Sequence, residues 1–147
     1  FNVIVCDDRP EFSSQKEHPV ANTVFAGPWE AAVARIAPAE HHYLVILTRG
    51  HSDDADVLRA IHAQGLQPKY LGMLGSRGKK AALTRLLEDE GIPRMWLEEV
   101  RTPIGLEIGA RSSGEIAVSL GAELVRLRRQ GRLDPLPARK ERHRKTV

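Results

Sequence analysis

Four short stretches of the chain set acids, arginines and small residues side by side. They are Asp7-Asp8-Arg9, Thr48-Arg49-Gly50-His51, Gly75-Ser76-Arg77, and the run from Pro103 through Gly105 and Gly109 to Arg111. Glycine lets a ligand approach the backbone closely. A guanidinium presents a planar fork of donors that suits phosphate, and a turn that opens a helix adds free amides at the positive end of the dipole. The chemistry these stretches share is anion binding, so a phosphate-bearing ligand is the natural inference. Asp7 suits another part of such a ligand, because an acid ending an early strand can accept hydrogen bonds from ribose hydroxyls. His51 is the candidate general acid or base, since histidine as a residue type titrates near neutrality. Local roles stay open for all of them: Asp8 and Arg9 as an ion pair, Ser76 as a helix cap, His51 as a helix-entry residue.

Other chemistries find no support. The one cysteine, Cys6, excludes an internal disulfide and a multi-cysteine metal site, and it lies in a predicted strand. No two histidines stand with acids at metal-ligand spacing, so no metal is expected, and His41-His42 falls in a loop at the opposite edge. No Gly-x-Ser-x-Gly elbow is present.

These stretches need elements to position them. Asn2–Cys6 is almost wholly apolar and predicts a short buried strand. Asn22–Phe25 predicts a second, and Trp29–Ala37 a helix that starts after Pro28 and stops at Pro38. Tyr43–Leu47 is the strongest strand signal. The following helix is expected to open at Ser52-Asp53-Asp54, with those acids at its N-terminus, and to end by Gly65. Lys69–Leu74 predicts a fourth strand, 81–90 a helix, 93–98 a helical turn and Val100–Thr102 a last strand. The final helix spans about 113–129, with Ser112 and Glu115 at capping-box spacing. Alternating strands and helices predict an α/β fold of three layers, a parallel sheet with helices on both faces. All four stretches then follow strand carboxyl ends, where such sheets hold ligands. A dinucleotide fold begins with a strand, a glycine-rich turn and a helix; no such turn precedes Asp7, so the sheet is expected to lack its first strand-turn-helix unit.

The chain has 147 residues and a net charge of +3, unevenly spread. Residues 126–147 hold nine Lys or Arg against two acids, whereas residues 1–125 hold 13 against 17. The basic character belongs to a tail, 131–147, expected to be disordered beyond a domain at 1–130. With no nucleic-acid reader motif and only two Tyr and two Trp for stacking, nucleic acid is not the expected partner. No apolar run reaches the ~20 residues of a membrane span and no signal peptide is recognisable, so a cytoplasmic location is expected.

The same residues resemble a known family. The stretches 3–12, 45–51, 70–77 and 102–111, the last leading to Glu115-Ile116-Ala117-Val118, are similar to the C-terminal domain of XdhC/CoxI-type xanthine dehydrogenase accessory proteins, in family order. The family usually has Arg-Lys or Arg-Arg-Lys after Gly-Ser, where this chain has Arg77-Gly78-Lys79. The resemblance implies a Rossmann-like domain that binds molybdenum cofactor (molybdopterin). It also implies a role in sulfurating that cofactor and delivering it to a xanthine dehydrogenase-type molybdenum hydroxylase, with a sulfur-donating desulfurase as second partner and a homodimer as the assembly. The cofactor-binding residues are then Asp7, Arg9, Thr48, Arg49, Gly50, His51, Gly75, Ser76, Arg77, Pro103, Gly105, Gly109 and Arg111. The competing expectation is an NAD(P)-dependent oxidoreductase, with Asp7 on the ribose and His51 as proton donor.

Overall fold

The structure, a computed structural model, describes residues 1–37 and 39–131. Pro38, the expected helix stop, and the basic tail from 132 onward lie outside the described residues. The chain forms two compact units, Phe1–Ile104 and one beginning at Gly105.

The first unit alternates strand and helix as the sequence predicts. The strands are β1 (Ile4–Asp7), β2 (Thr23–Ala26), β3 (Tyr43–Ile46) and β4 (Tyr70–Met73). The helices are α1 (Trp29–Ile36), α2 (His51–Ala63), α3 (Arg77–Asp89) and α4 (Arg94–Glu99). β1 pairs in parallel with β2, Ile4 opposite Thr23 through Asp7 opposite Ala26; β3 pairs in parallel with β4, Tyr43 opposite Tyr70 through Ile46 opposite Met73. The expected fifth strand at Val100–Thr102 is reduced to one parallel bridge, Arg101 with Gly72. Two bonds hold it, Arg101 N–H to the Leu71 carbonyl at 2.8 Å and Met73 N–H to the Arg101 carbonyl at 2.9 Å. The second unit is built on α5 (Ser113–Gln130). Parallel strands alternating with helices make this a Rossmann-like α/β arrangement.

The strands form two separate two-stranded sheets. Among the described residues, side chains bridge β1 and β3: the Phe1 ring, ahead of β1, lies 5.4 Å from the ring of Tyr43, the first residue of β3, and Asp8 meets Arg49 at 2.8 Å after the strands. The sheet is broken between β1 and β3. This break explains a difference in β1, expected to be buried: Val3 and Ile4 are each about two-fifths exposed, because β1 has a neighbour on one edge only.

The core lies on the β3–β4 side. Ile46 and Met73 meet Ala55, Val57, Leu58 and Ile61 of α2, Leu83 and Leu87 of α3, and Leu97 and Val100 around α4. α1 packs on α2, α2 on α3 and α3 on α4. The six-residue α4 is closed by Lys80, whose Nζ donates to the carbonyls of Glu98 at 2.9 Å and Val100 at 2.5 Å; burial pushes its ammonium pKa down. Leu87 has no exposed surface, and Leu87→Ala should lower unfolding free energy by about 3 kcal/mol in urea denaturation, the usual cost of such a cavity.

Candidate functional site

β1 ends on Asp7, so this acid is the last paired strand residue and not, as expected, the first beyond it. Its carboxylate is engaged within the next turn. Arg9 donates to it from Nε and Nη2 at 2.9 Å each and from its backbone N–H at 3.0 Å. The Arg9 side-chain hydrogen bonds hold the Asp7 carboxyl below the usual carboxylate range. Arg9 also lies over the Phe12 ring, 4.0 Å from its centroid. A ribose hydroxyl at Asp7 would therefore share it with a guanidinium.

Asp8 turns toward the exit of β3. Its Oδ2 accepts from Arg49 Nη2 at 2.8 Å, and Arg49 Nε lies 3.9 Å from Asp53. The other oxygen, Asp8 Oδ1, is buried and accepts no hydrogen bond among the described residues.

The exits of β3 and β4 are joined from beneath. Thr48 Oγ1 donates to Asp54 Oδ1 at 2.6 Å. Asp54 was expected as an acid at a helix entry, yet it is wholly buried, and its second oxygen pairs with the Lys79 ammonium. Lys79 Nζ also donates to the Leu74 carbonyl at 3.1 Å. The helix itself begins earlier than Ser52: Gly50 occupies the N-cap position and His51, exposed, is the first helical residue. α3 also begins early, at Arg77 and not at Ala81, because Ser76 caps it by accepting from the Lys79 N–H at 3.1 Å. Arg77 is exposed on the first turn, and Pro103, also exposed, follows a cis Thr102–Pro103 bond.

Within the first unit, then, three strand exits share a rim. Asp8–Arg49 links β1 to β3, and the Thr48–Asp54–Lys79–Leu74 chain links β3 to β4. The rim is balanced in charge: Asp7, Asp8, Asp53 and Asp54 stand with Arg9, Arg49, Arg77 and Lys79. An entering anion competes with carboxylates for the first two arginines.

In the second unit the loop before α5 is strapped to the helix. Gly105 N–H donates to Glu123 Oε2 at 2.7 Å, Ser119 Oγ donates to the Leu106 carbonyl at 2.5 Å, and the N–H groups of Arg111 and Ser112 donate to Glu115 Oε2 at 2.7 and 2.8 Å. Both halves of the predicted capping box are present, and the backbone donors lower the Glu115 pKa. Gly105 has φ +85°, and a Cβ there would collide with Ser119 Oγ. Its small size serves contact with α5, not the ligand approach the sequence suggested. Around Gly109 the space is open, and Arg111 is exposed.

Sequence reasoning passed over Lys79, Ser119 and Glu123 and misplaced Asp54. Signals existed: Asp54, Leu58 and Ile61 share one helical face, as do Glu115, Ser119 and Glu123. Among the described residues no group of three His, Cys, Asp or Glu could hold a metal ion, and no helix is long and apolar enough to cross a membrane.

Residues 1–124 match the profile of the family described as the XdhC Rossmann domain. This chain belongs to that family. It is 30% identical over 130 residues to a probable xanthine dehydrogenase subunit of Bacillus subtilis (strain 168), covering 88% of this chain and 37% of that protein. It is 27% identical over 129 residues to the uncharacterized protein YqeB of Escherichia coli (strain K12), covering 87% of this chain and 23% of that one. Its fold matches the crystal structure of a xanthine dehydrogenase from Bacillus halodurans with a TM-score of 0.74 and 25% identity, over 93% of this chain and 38% of the other. This XdhC domain thus spans less than two-fifths of the length of these relatives.

Two measurements check the geometry of the domain. In carboxyl-detected NMR titration Asp7 should protonate below the ordinary ~3.9, and Arg9→Gln should move its midpoint up. Since the folded-state pKa is the depressed one, Asp7's contribution to stability is complete above the unfolded value and is lost as pH falls through the folded value. Gly105→Ala, facing both a positive φ and the Ser119 hydroxyl, should cost about 2 kcal/mol in urea denaturation.

Proposed function

We propose that this chain is the ligand-binding domain of an accessory factor for molybdenum hydroxylases. In this reading it holds molybdenum cofactor and assists its sulfuration and insertion into xanthine dehydrogenase-type enzymes. A desulfurase supplies the sulfur, the factor works as a homodimer, and the setting is cytoplasmic. Family membership and the xanthine dehydrogenase names of two relatives support the link to those enzymes.

The observation that carries the ligand class is the shared rim, and above all the Asp8–Arg49 bond that ties the exits of β1 and β3. The cofactor is cargo here, a pterin with a phosphate. The residues present suit both ends of it. Asp8 Oδ1, buried, with no hydrogen-bond partner among the described residues and with Arg9 Nε 4.0 Å away, matches the N–H donors on the amino-pyrimidinone edge of a pterin. Arg77 on the first turn of α3 suits the phosphate, with the helix dipole in its favour. Binding, orienting and shielding a labile molecule need no acid–base pair. The balanced charge of the rim favours a ligand with both donors and an anionic group over a bare anion.

Anaerobic titration calorimetry of the chain with purified molybdenum cofactor should give saturable binding. Arg77→Ala should weaken it by about tenfold, roughly 1.4 kcal/mol. Equal affinity in the two proteins would remove the rim from the account.

A further inference from the structure

The glycine at position 75 has two competing explanations. One is close approach of a ligand to the backbone at the end of β4. The other lies within the chain. The backbone at Gly75 does not adopt a positive φ, so conformational freedom is not what it supplies. A Cβ built there would stand 2.6 Å from Lys79 Cδ and 3.4 Å from its Cγ. The Lys79 side chain therefore runs back across Gly75 on its way to the Leu74 carbonyl and the Asp54 carboxylate.

What it reaches is a group that needs it. Asp54 has no exposed surface, and the Lys79 side chain is only 15% exposed. Thr48 occupies the other oxygen of Asp54. Burying a carboxylate is tolerated only where it is paired and hydrogen-bonded. One ammonium thus meets a carboxylate rooted in α2 and a carbonyl at the end of β4, and the same carboxylate fastens the threonine that follows β3.

We propose that Lys79 is the positioning residue of the rim. It locks the Thr48–Gly50 turn to the Leu74–Ser76 turn, and position 75 is glycine to let the lysine pass. Its functional consequence rests on the rim reading above, because Arg49 sits on one of the two turns that Lys79 joins and Arg77 directly follows the other. Lys79 itself points under the rim and acts on the ligand through those turns.

A double-mutant cycle on the intact chain tests this. Gly75→Ala should lower the thermal midpoint by about 4 °C or more in the presence of Lys79, and by little in a Lys79→Ala background, where the obstructing carbons are gone. Equal costs in the two backgrounds would overturn the proposal. Should Lys79→Ala fail to fold, nitrogen-15 NMR of the lysine ammonium groups decides: the wild-type Lys79 signal should be protected from solvent exchange, and it should lose that protection in Asp54→Asn. An unprotected wild-type signal is equally fatal. In the folded Lys79→Ala protein the amide shifts of Thr48, Arg49 and Gly50 should move, and cofactor affinity should fall about tenfold well below its melting range. Unmoved amides or unchanged affinity would refute the positioning role. Wild-type protein that binds no cofactor would count against the rim reading alone, since the cycle and the ammonium signal need no ligand.

Discussion

A carboxylate cut off from water must be answered by the protein around it, and much of the first unit can be understood as the answer to Asp54. The acid sits on the first turn of α2, in line with Leu58 and Ile61, so the core that buries those residues buries it as well. Donors from two flanking segments reach it. Thr48 comes from the end of β3 and Lys79 from the start of α3. The paired strands β3 and β4 and the helices that follow them are thus fastened at the strand exits by charge, and below them by apolar packing. Both are needed: packing sets the distance between the helices, and the ion pair sets which turn faces which.

The β1–β2 side is held differently. Among the described residues no backbone bond joins it to β3, and side chains make its contacts there: Phe1 against Tyr43 and Asp8 to Arg49, with α1 packed on α2. Arg49 is more than half exposed, so its bond to Asp8 is of the kind that solvent and salt weaken. A rim spanning both sheets inherits this difference. Its β3–β4 half is fixed by a buried pair, and its β1 half hangs on an exposed one.

Much of this was legible in the residues. The strand-helix alternation, parallel pairing and the capping box at Ser112–Glu115 follow from periodicity and turn chemistry, which act over a few residues. Boundaries near the rim were less so. α2 and α3 begin at His51 and Arg77, earlier than helix propensity suggests, because Gly50 and Ser76 already occupy the cap positions. At the strand exits the sequence shows residue types but not their partners. Whether Asp7 offers a free acceptor depends on the side chain of Arg9, and whether Gly105 waits for a ligand depends on Ser119, fourteen residues on. Composition and spacing carry neither fact, since both depend on how the turns fold back.

The strap on α5 has a mechanical meaning. Glu115, Ser119 and Glu123 follow one another at single-turn intervals, so their attachments to residues 105–112 are spread over roughly 12 Å of helix, at 1.5 Å per residue. A segment pinned at three such points is splinted against the helix at both of its ends. Arg111, at one end of that splint, has its backbone tied to the first turn of α5 while its side chain stands exposed.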